Sequence, residues 1–227
     1  FFNRAGDITI GKLPIQNHPL SAKQAALREA EKEDSDWNIL LDTDTLVLGN
    51  IKGMLDYHSE SDILLSPEHG GWQHWANSDS AHKWNRIYDM IDAEFPGFIM
   101  NSRFDNSPIP PYWNSGVVMS NSLVANDWIE LTRDVISLYG PDLYYADQIA
   151  LPPIVKTLAV STLPNKFNYP FYMHMRMPSE TKIVHYDSLW HIGRVLNPVI
   201  RKKVRKLGIL SDKSVPSSYS SLPAIIK

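Results

Sequence analysis

WNILLDTDTLVLGN, residues 37–50, places two aspartates between two short apolar runs. The first run, Ile39–Leu41, has the composition of a buried β-strand, and Asp42 and Asp44 follow it directly. Side chains two residues apart on extended backbone point the same way, so the two carboxylates repel each other unless something positive lies between them. The stretch therefore indicates either a solvated turn after a strand or a site for a hard divalent cation such as Mg²⁺ or Mn²⁺, which oxygen ligands favour.

Strand-like and helix-like patterns alternate around this acidic pair. Helical patterns cover residues 22–33, 51–58, 81–95, 122–139 and 145–151. Pro152 and Pro153 are expected to interrupt or re-cap the last of these helices. Apolar strand patterns cover residues 37–41, 62–66, 113–121, 158–163 and 182–186. The alternation predicts an α/β domain with a mainly parallel sheet, in which ligands bind outside the carboxyl ends of the strands.

Length and composition exclude several classes of protein. The 227 residues are 43% hydrophobic and carry a formal net charge of −3, which supports a substantial core and gives no reason to expect a nucleic-acid partner. There are no cysteines, so disulfides and thiolate metal sites are excluded, and this absence fits a reducing compartment. No apolar run approaches the roughly 20 residues of a membrane span, and residues 1–12 lack the pattern of a secretion signal. We therefore expect a cytoplasmic protein.

Five segments carry a resemblance to a known family, in the same order along the chain. They are LLDTDTLVLGNI (40–51), WNSGVVMSN (113–121), ADQIAL (146–151), LPNKFNYP (163–170) and IVHYDSLWH (183–191). They resemble the L-D-x-D, F-N-A-G-V, D-Q-D-x-L-N, L-P-x-x-W/Y-N-Y and I-x-H-Y/F-x-G-x-x-K-P-W segments of family-8 glycosyltransferases, the group of glycogenin and the lipopolysaccharide galactosyltransferases. The matching stretch spans about two thirds of the chain, residues 37–191, and indicates a divergent relative of that family.

The chain departs from the family pattern at several positions. Ser115 replaces the usual alanine, and Ile149 stands where the third acid of D-Q-D belongs. Ser188 replaces a glycine, His191 replaces a lysine, and the Pro-Trp pair is absent. Only 41 residues precede Asp42, so the N-terminal nucleotide-binding part that the resemblance implies is expected to be short or missing.

The resemblance implies a GT-A-like, Rossmann-like fold with a mixed, mainly parallel sheet flanked by helices. It implies metal-dependent transfer of a sugar from a nucleoside-diphosphate sugar, in particular a UDP-sugar, to a carbohydrate or glycoconjugate acceptor, with retention of configuration. Mn²⁺ or Mg²⁺ would be held by Asp42, Asp44 and His185. Asp147 and Gln148 would be catalytic, with Gln148 beside the anomeric carbon.

The donor sugar and nucleotide are assigned by the same resemblance to eight residues. These are Lys23, Asp42, Asn114, Ser115, Gly116, Asp147, Ser188 and His191. Structural alternatives stay open for several of them. Lys23 and Arg28 also fit the solvated face of an amphipathic helix, and Asn114 and Asp147 also fit turn and N-cap positions.

Two regions outside these motifs allow two interpretations each. Residues 67–113 form the expected acceptor region, where Trp72, Trp75 and Trp113 would either stack on sugar rings or form local core. Residues 194–210 are basic and amphipathic, which is typical of a peripheral membrane helix and also of a C-terminal helix docked on its own domain. We therefore expect one GT-A-like catalytic domain over residues 1–193, followed by a basic helix and a Ser/Pro-rich tail over residues 194–227.

Two alternatives to a transferase remain compatible with the sequence. A degenerate, non-catalytic carbohydrate-binding protein fits the short N-terminus and the missing third acid. A Mg²⁺-dependent phosphatase of the haloacid-dehalogenase type also places D-x-D after a strand. In that class a threonine follows two residues after the second aspartate, whereas here Thr45 follows directly, and no later G-D-x-x-x-D cluster occurs.

Overall fold

The computed structural model describes eight segments of the chain, residues 22–33, 35–58, 60–68, 86–94, 97–103, 106–140, 145–171 and 177–186. Within them lie three α-helices, α1 (Ala22–Ala30), α2 (Ala125–Tyr139) and α3 (Ala146–Val155). Residues 86–90 are also helical. Two short 3₁₀ segments cover Lys52–Tyr57 and Asn165–Phe167.

Nine strands lie in the same segments, and most are short. They are β1 (Asn38–Leu41), β2 (Thr45–Val47), β3 (Ile63–Pro67), β4 (Met100–Asn101), β5 (Pro108–Ile109), β6 (Trp113–Ser120), β7 (Val160–Thr162), β8 (Tyr169–Pro170) and β9 (Ile183–His185). The longest of them, β6, is buried along its whole length. The five strand patterns read from the sequence correspond to β1, β3, β6, β7 and β9.

The main sheet has four strands in the order β1-β6-β3-β7. β3 pairs with β7 in parallel, while β6 runs antiparallel to both of its neighbours. Three of the four strands therefore point in the same direction, and β6 inserts between two of them in the opposite direction. The predicted α/β class and the mixed, mainly parallel sheet are confirmed.

The two faces of this sheet are covered differently. Apolar side chains from all three α-helices pack on one face, against a cluster that includes Leu40, Leu65 and Val118. The other face packs against the 3₁₀ segments and β9, through a cluster that includes Met54 and Phe167. The helices expected to flank the sheet thus lie on one side of it in the described part of the chain.

A second sheet, in the order β2-β9-β8, joins the two ends of the motif region. β9 pairs antiparallel with β2, so His185 lies opposite Thr45. On its other edge β9 pairs in parallel with β8. Because of this pairing, the residues near position 185 lie beside the turn that follows β1.

The prediction that two prolines interrupt or re-cap the third helix is wrong. α3 continues through Pro152 and Pro153 to Val155. Pro153 has no N–H to donate to the carbonyl of Ile149 four residues earlier, and the Tyr88 hydroxyl donates to that carbonyl instead, at 2.7 Å. A side chain from another segment thus replaces one of the two backbone donors that the prolines lack.

Trp113 belongs to the core: it is 3% exposed and packs in the cluster beneath the helices. Trp72, Trp75 and the N-terminal residues 1–21 lie outside the described residues, as does the whole tail 194–227. Among the helices that the structure describes, none has the length and apolar character needed to cross a bilayer.

Candidate active site

The D-x-D turn lies where the chain leaves the main sheet. Asp42 immediately follows β1, and its N–H extends the ladder by donating to the carbonyl of Gly116 on β6 at 2.9 Å. Thr45 then closes the turn, because its N–H and its hydroxyl both donate to the carbonyl of Asp42, at 3.0 and 2.7 Å. This tight turn keeps Asp42 and Asp44 side by side at the carboxyl end of the strand.

The pairing of β2 with β9 brings His185 to the two acids. Its Nε2 lies 3.2 Å from Asp44 Oδ2, and the N–H of Tyr186 donates to the carbonyl of Asp44 at 2.9 Å. One ligand atom from each of Asp42, Asp44 and His185 lies within 4.8 Å of the others. In the described part of the chain the structure therefore assembles the three residues that the resemblance assigned to a metal.

Lys23 of α1 points into the site and joins two of its carboxylates. Its ammonium lies 2.5 Å from Asp147 Oδ2 and 3.0 Å from Asp42 Oδ2. It also donates to the hydroxyl of Ser115 at 2.7 Å, and that hydroxyl donates to Asp147 at 2.7 Å. Lys23 is thus an internal counter-ion, whereas Arg28, further along α1, pairs with Glu29 at 3.7 Å on the outer surface.

Burial and ion pairing act in opposite directions on the charged groups of the site. Burial lowers the pKa of Lys23, but the neighbouring carboxylates of Asp147 and Asp42 outweigh it and hold the pKa above its usual value of 10.5. Burial raises the pKa of Asp42 above 3.8, and Lys23 offsets this only in part. Burial would raise the pKa of Asp44, but the hydrogen bond and charge of His185 outweigh burial and lower the pKa. Among the described residues, the carboxylates of Asp42, Asp44 and Asp147 outnumber the Lys23 ammonium and the His185 ring, so the site favours a further cation.

Asn114 lies at the centre of a buried polar cluster beside the metal ligands. Its Oδ1 accepts from the N–H of Gly116 at 3.0 Å and from Asn168 Nδ2 at 2.9 Å, and it lies 3.1 Å from His185 Nδ1. Its Nδ2 donates to Glu68 Oε2 at 2.7 Å. The register between β3 and β6 shifts between Leu65 and Ser66, which indicates a β-bulge just before this cluster.

Gly116 is needed where the His185 ring meets the backbone of β6. A Cβ at this position would lie 2.5 Å from His185 Nδ1 and 3.0 Å from Asn114 Oδ1. A Cβ as close as 2.5 Å to a ring atom essentially never occurs, so any side chain at this position displaces the ring. The glycine of the N-S-G segment therefore makes room for the candidate metal ligand.

Asp147 and Gln148 occupy the first turn of α3, and both are buried. The indole N–H of Trp128 donates to the backbone carbonyl of Asp147 at 2.7 Å, which fixes the start of α3 against α2. Gln148 Oε1 is buried without a hydrogen-bond partner among the described residues. Ile149, at the position of the family's third acid, packs in an apolar cluster with Tyr88. Ser188 and His191 lie outside the described residues.

Sequence reasoning gave no role to Glu68 or Asn168, which both contact Asn114. Glu68 directly follows β3, as Asp42 follows β1, so the rule that placed Asp42 at a strand end applies equally to Glu68. Asn168 belongs to the LPNKFNYP segment. Its contact depends on a separation of 54 residues along the chain, which no local pattern reveals.

Comparisons with solved structures return distant matches. A crystal structure of the galactosyltransferase LgtC in complex with donor and acceptor sugar analogues is 17% identical, with a TM-score of 0.45, over 86% of this chain and 68% of that chain. A structure of an active-site mutant of LgtC gives the same identity and TM-score, over 86% of this chain and 69% of that one. No curated protein matches the chain.

A comparison with protein families identifies a family for this chain. The family described as the Rhodobacterales glycosyltransferase domain matches residues 14–159, more than half of the 227 residues. The matched stretch contains Lys23, the D-x-D turn, the N-S-G segment and Asp147, whereas His185 lies beyond it. The chain belongs to the Rhodobacterales glycosyltransferase domain family and is a glycosyltransferase.

Proposed function

We propose that this glycosyltransferase is metal-dependent and transfers a hexose from a nucleoside-diphosphate sugar, with UDP-sugars as the first candidates. The acceptor is a carbohydrate or glycoconjugate, and the anomeric configuration is retained. The observation that carries the proposal is the cluster of Asp42, Asp44 and His185 at the carboxyl end of the sheet, beside the Lys23–Asp147 pair.

The residues present fit a divalent ion such as Mn²⁺ or Mg²⁺. Adjacent ligands of an octahedral ion with bonds of about 2.1 Å lie about 3 Å apart, and Asp44 Oδ2 lies 3.2 Å from His185 Nε2. Two carboxylates and one imidazole suit Mn²⁺ well. The side chains of Asp42 and Asp44 are 20% and 26% exposed, so one side of the cluster stays open to a ligand.

A bound divalent ion would act as a Lewis acid that offsets the negative charge of a departing nucleoside diphosphate. The chain's own residues position the sugar. We assign Lys23, Ser115 and Asp147 to its hydroxyls, because they form one connected polar group beside Asp42. Gly116 and Asn114 complete the donor-side wall on β6. His191 remains a proposed diphosphate contact, and Ser188 a proposed contact of the donor sugar or nucleotide.

We assign Gln148 to the developing positive charge on the anomeric carbon. It follows Asp147 in the first turn of α3, and its unpartnered Oε1 carries the negative end of an amide dipole. A fixed dipole aimed at developing charge costs no reorganisation during the reaction. A carboxyl group at the neighbouring position 149 would have to be buried among apolar side chains, so we place catalysis on Asp147 and Gln148.

A cavity next to the donor side supplies a proposed acceptor site. Its volume is about 720 Å³, and it opens at the ends of β3 and β7, between Pro67 and Thr162. Its polar lining is formed by Asn101, Ser102, Arg103, Asn106 and Asn165. Arg103 connects it to the metal side, since its guanidinium donates to the carbonyl of Asn168 at 2.6 Å. A cleft of this size, lined by both polar and apolar side chains, suits a sugar-containing acceptor.

We also propose a cytoplasmic location, supported by the absence of cysteine, with peripheral membrane contact through residues 194–210. Sedimentation of the full chain with vesicles tests the contact. If the contact is electrostatic, more protein sediments with vesicles that contain anionic lipid than with neutral vesicles. Equal sedimentation with both would contradict it.

Donor hydrolysis tests the proposed activity directly. The chain is incubated with a panel of nucleoside-diphosphate sugars and Mn²⁺, and release of nucleoside diphosphate is followed with and without chelator. We expect slow release from at least one UDP-sugar, loss of that release with chelator, and loss in the Asp44→Asn variant. Binding of UDP with Mn²⁺ but no release from any sugar would instead identify a non-catalytic carbohydrate-binding relative.

A further inference from the structure

We infer that Asn114 is a positioning residue that holds the His185 ring with its proton on Nδ1 and with Nε2 directed at the metal site. This inference rests on the proposed metal-dependent function. It assigns Asn114 a task other than contact with a sugar hydroxyl, and it gives Glu68 and Asn168 the task of holding Asn114.

The orientation of the Asn114 amide is fixed from both ends. A backbone N–H only donates, so the side-chain atom 3.0 Å from the nitrogen of Gly116 must be the oxygen. A carboxylate only accepts, so the atom 2.7 Å from Glu68 Oε2 must be the nitrogen. The two contacts agree, and in this orientation the Asn168 amide also donates to the Asn114 oxygen, at 2.9 Å.

This orientation decides which ring nitrogen of His185 carries the proton. Nδ1 lies 3.1 Å from Asn114 Oδ1, and an amide oxygen cannot donate, so a hydrogen bond between these two atoms requires the proton on Nδ1. In the charged ring Nε2 donates to Asp44 Oδ2, 3.2 Å away, and in the neutral ring with its proton on Nδ1 it presents its lone pair towards that oxygen. Loss of the Nε2 proton therefore frees a lone pair for a cation placed between the ring and Asp44. Metal-bound histidines commonly donate the other ring N–H to an oxygen acceptor in this way.

The surroundings leave the ring and the amide little freedom. Asn114 is 2% exposed, and its oxygen accepts hydrogen bonds from Gly116 and Asn168 and lies against His185 Nδ1. His185 is 7% exposed and lies against the bare Cα of Gly116. Glu68 is 6% exposed. If its contact with Asn114 were lost, the buried side-chain N–H of Asn114 would have no carboxylate to donate to, which is costly. The arrangement therefore fixes Nε2 before any metal arrives.

The ring tautomer is measurable in the metal-free wild-type chain. Long-range ¹H–¹⁵N correlation spectra of histidine-labelled protein separate the ring states, and the signal of His185 is the one lost in His185→Gln among the 8 histidines. We expect Nδ1 to carry a proton whether the ring is neutral or charged. A neutral ring with its proton on Nε2 would overturn the inference.

A variant measures the consequence for metal affinity. Asn114→Leu keeps the branched shape of the side chain and removes both polar atoms. We expect about 10- to 100-fold weaker Mn²⁺ binding, measured by electron paramagnetic resonance. Ser120→Ala, at the opposite end of the same buried strand, is the matched control and keeps wild-type affinity. Unchanged Mn²⁺ affinity in folded Asn114→Leu would overturn the inference.

The two measurements separate this inference from the proposed function. If Asn114→Leu does not fold, the tautomer in the wild-type chain decides alone. A wild-type chain that does not bind Mn²⁺ contradicts the metal-dependent function, whereas the tautomer is read without metal. Mn²⁺ binding together with a proton on Nε2 alone contradicts the inference and leaves the proposed function in place.

Discussion

Lys23 and Arg28 look alike in the sequence, since both are basic residues on one short amphipathic helix. Lys23 lies between two carboxylates of the site, while Arg28 pairs with a neighbour on the same helix. The helical period predicts that α1 exists, but not the angle at which it docks on the sheet. Docking depends on contacts with α2, which is distant in the sequence, so the difference between the two residues was not predictable.

The Lys23→Met variant tests whether this ammonium neutralises the acids. Its removal leaves Asp42 and Asp147 without their counter-ion in a largely buried site, so we expect the free energy of unfolding to fall by about 3 kcal/mol. Urea denaturation at neutral pH measures the change. Arg28→Met is the matched control and should unfold at nearly the wild-type urea concentration. Equal losses in both variants would show that Lys23 acts only through helix packing.

Gly116→Ala tests the close contact between β6 and the His185 ring. The added methyl meets the ring in a packed interior, so we expect a loss of about 1–3 kcal/mol in unfolding free energy and weaker Mn²⁺ binding. A double-mutant cycle locates the cause. In the His185→Ala background the same substitution should cost about 1 kcal/mol less, because the ring is gone. Additive losses in the cycle would place the strain elsewhere.

At the scale of elements, α3 shows how distant residues override a local signal. Two consecutive prolines are a strong indication of a helix break, yet α3 runs through both of them. The replacement donor is the hydroxyl of Tyr88, 61 residues earlier in the chain. α2 behaves similarly, because its first N–H groups, at Val124 and Ala125, donate to the carboxylate of Glu31 at 2.9 and 3.0 Å. Helix existence was predictable from periodicity, whereas these partners were not.

Tyr88→Phe removes the donor that sustains α3. The Ile149 carbonyl then stays buried without that donor, so we expect a loss of about 1–3 kcal/mol in unfolding free energy near pH 8, measured by urea denaturation. Tyr57→Phe is the control, because the Tyr57 side chain is 37% exposed and its hydroxyl accepts from Lys166 at the surface. A loss no larger than that of the control would contradict the role of Tyr88.

The Tyr88→Phe variant also tests how the free energy of unfolding depends on pH. Burial raises the pKa of Tyr88 well above the usual 10.0. Above pH 10 the unfolded chain therefore releases this proton while the folded chain retains it, and wild-type stability falls as pH rises. Tyr88→Phe lacks this loss, so the stability difference between the two proteins should narrow above about pH 10. A difference that is constant with pH would show that Tyr88 ionises equally in both states.

At the scale of the whole molecule, the candidate site joins two sheets. Asp42 leaves the main sheet at β1, and His185 ends β9 in the second sheet. The α/β class, the main strands and the acidic turn follow from local patterns in the sequence. The antiparallel insertion of β6 and the pairing of β2 with β9 depend on contacts between distant segments, so only the family resemblance linked His185 to the acids. Glu68 contacts Asn114 but lies in none of the five family segments, so a resemblance based on those segments does not identify it.

The central claim is that a divalent ion bound by Asp42, Asp44 and His185 holds a nucleoside diphosphate. Its most direct test is thermal unfolding of the full chain with UDP and Mn²⁺, with UDP and chelator, and with Mn²⁺ alone. At about 100 times the dissociation constant, a bound ligand stabilises the folded state by about 2.7 kcal/mol, which raises the Tm by about 5–10 °C for a chain of this size. We predict this rise for UDP with Mn²⁺, its loss with chelator, and its loss in Asp44→Asn. A rise that survives chelator, or that Asp44→Asn retains in full, would contradict the claim.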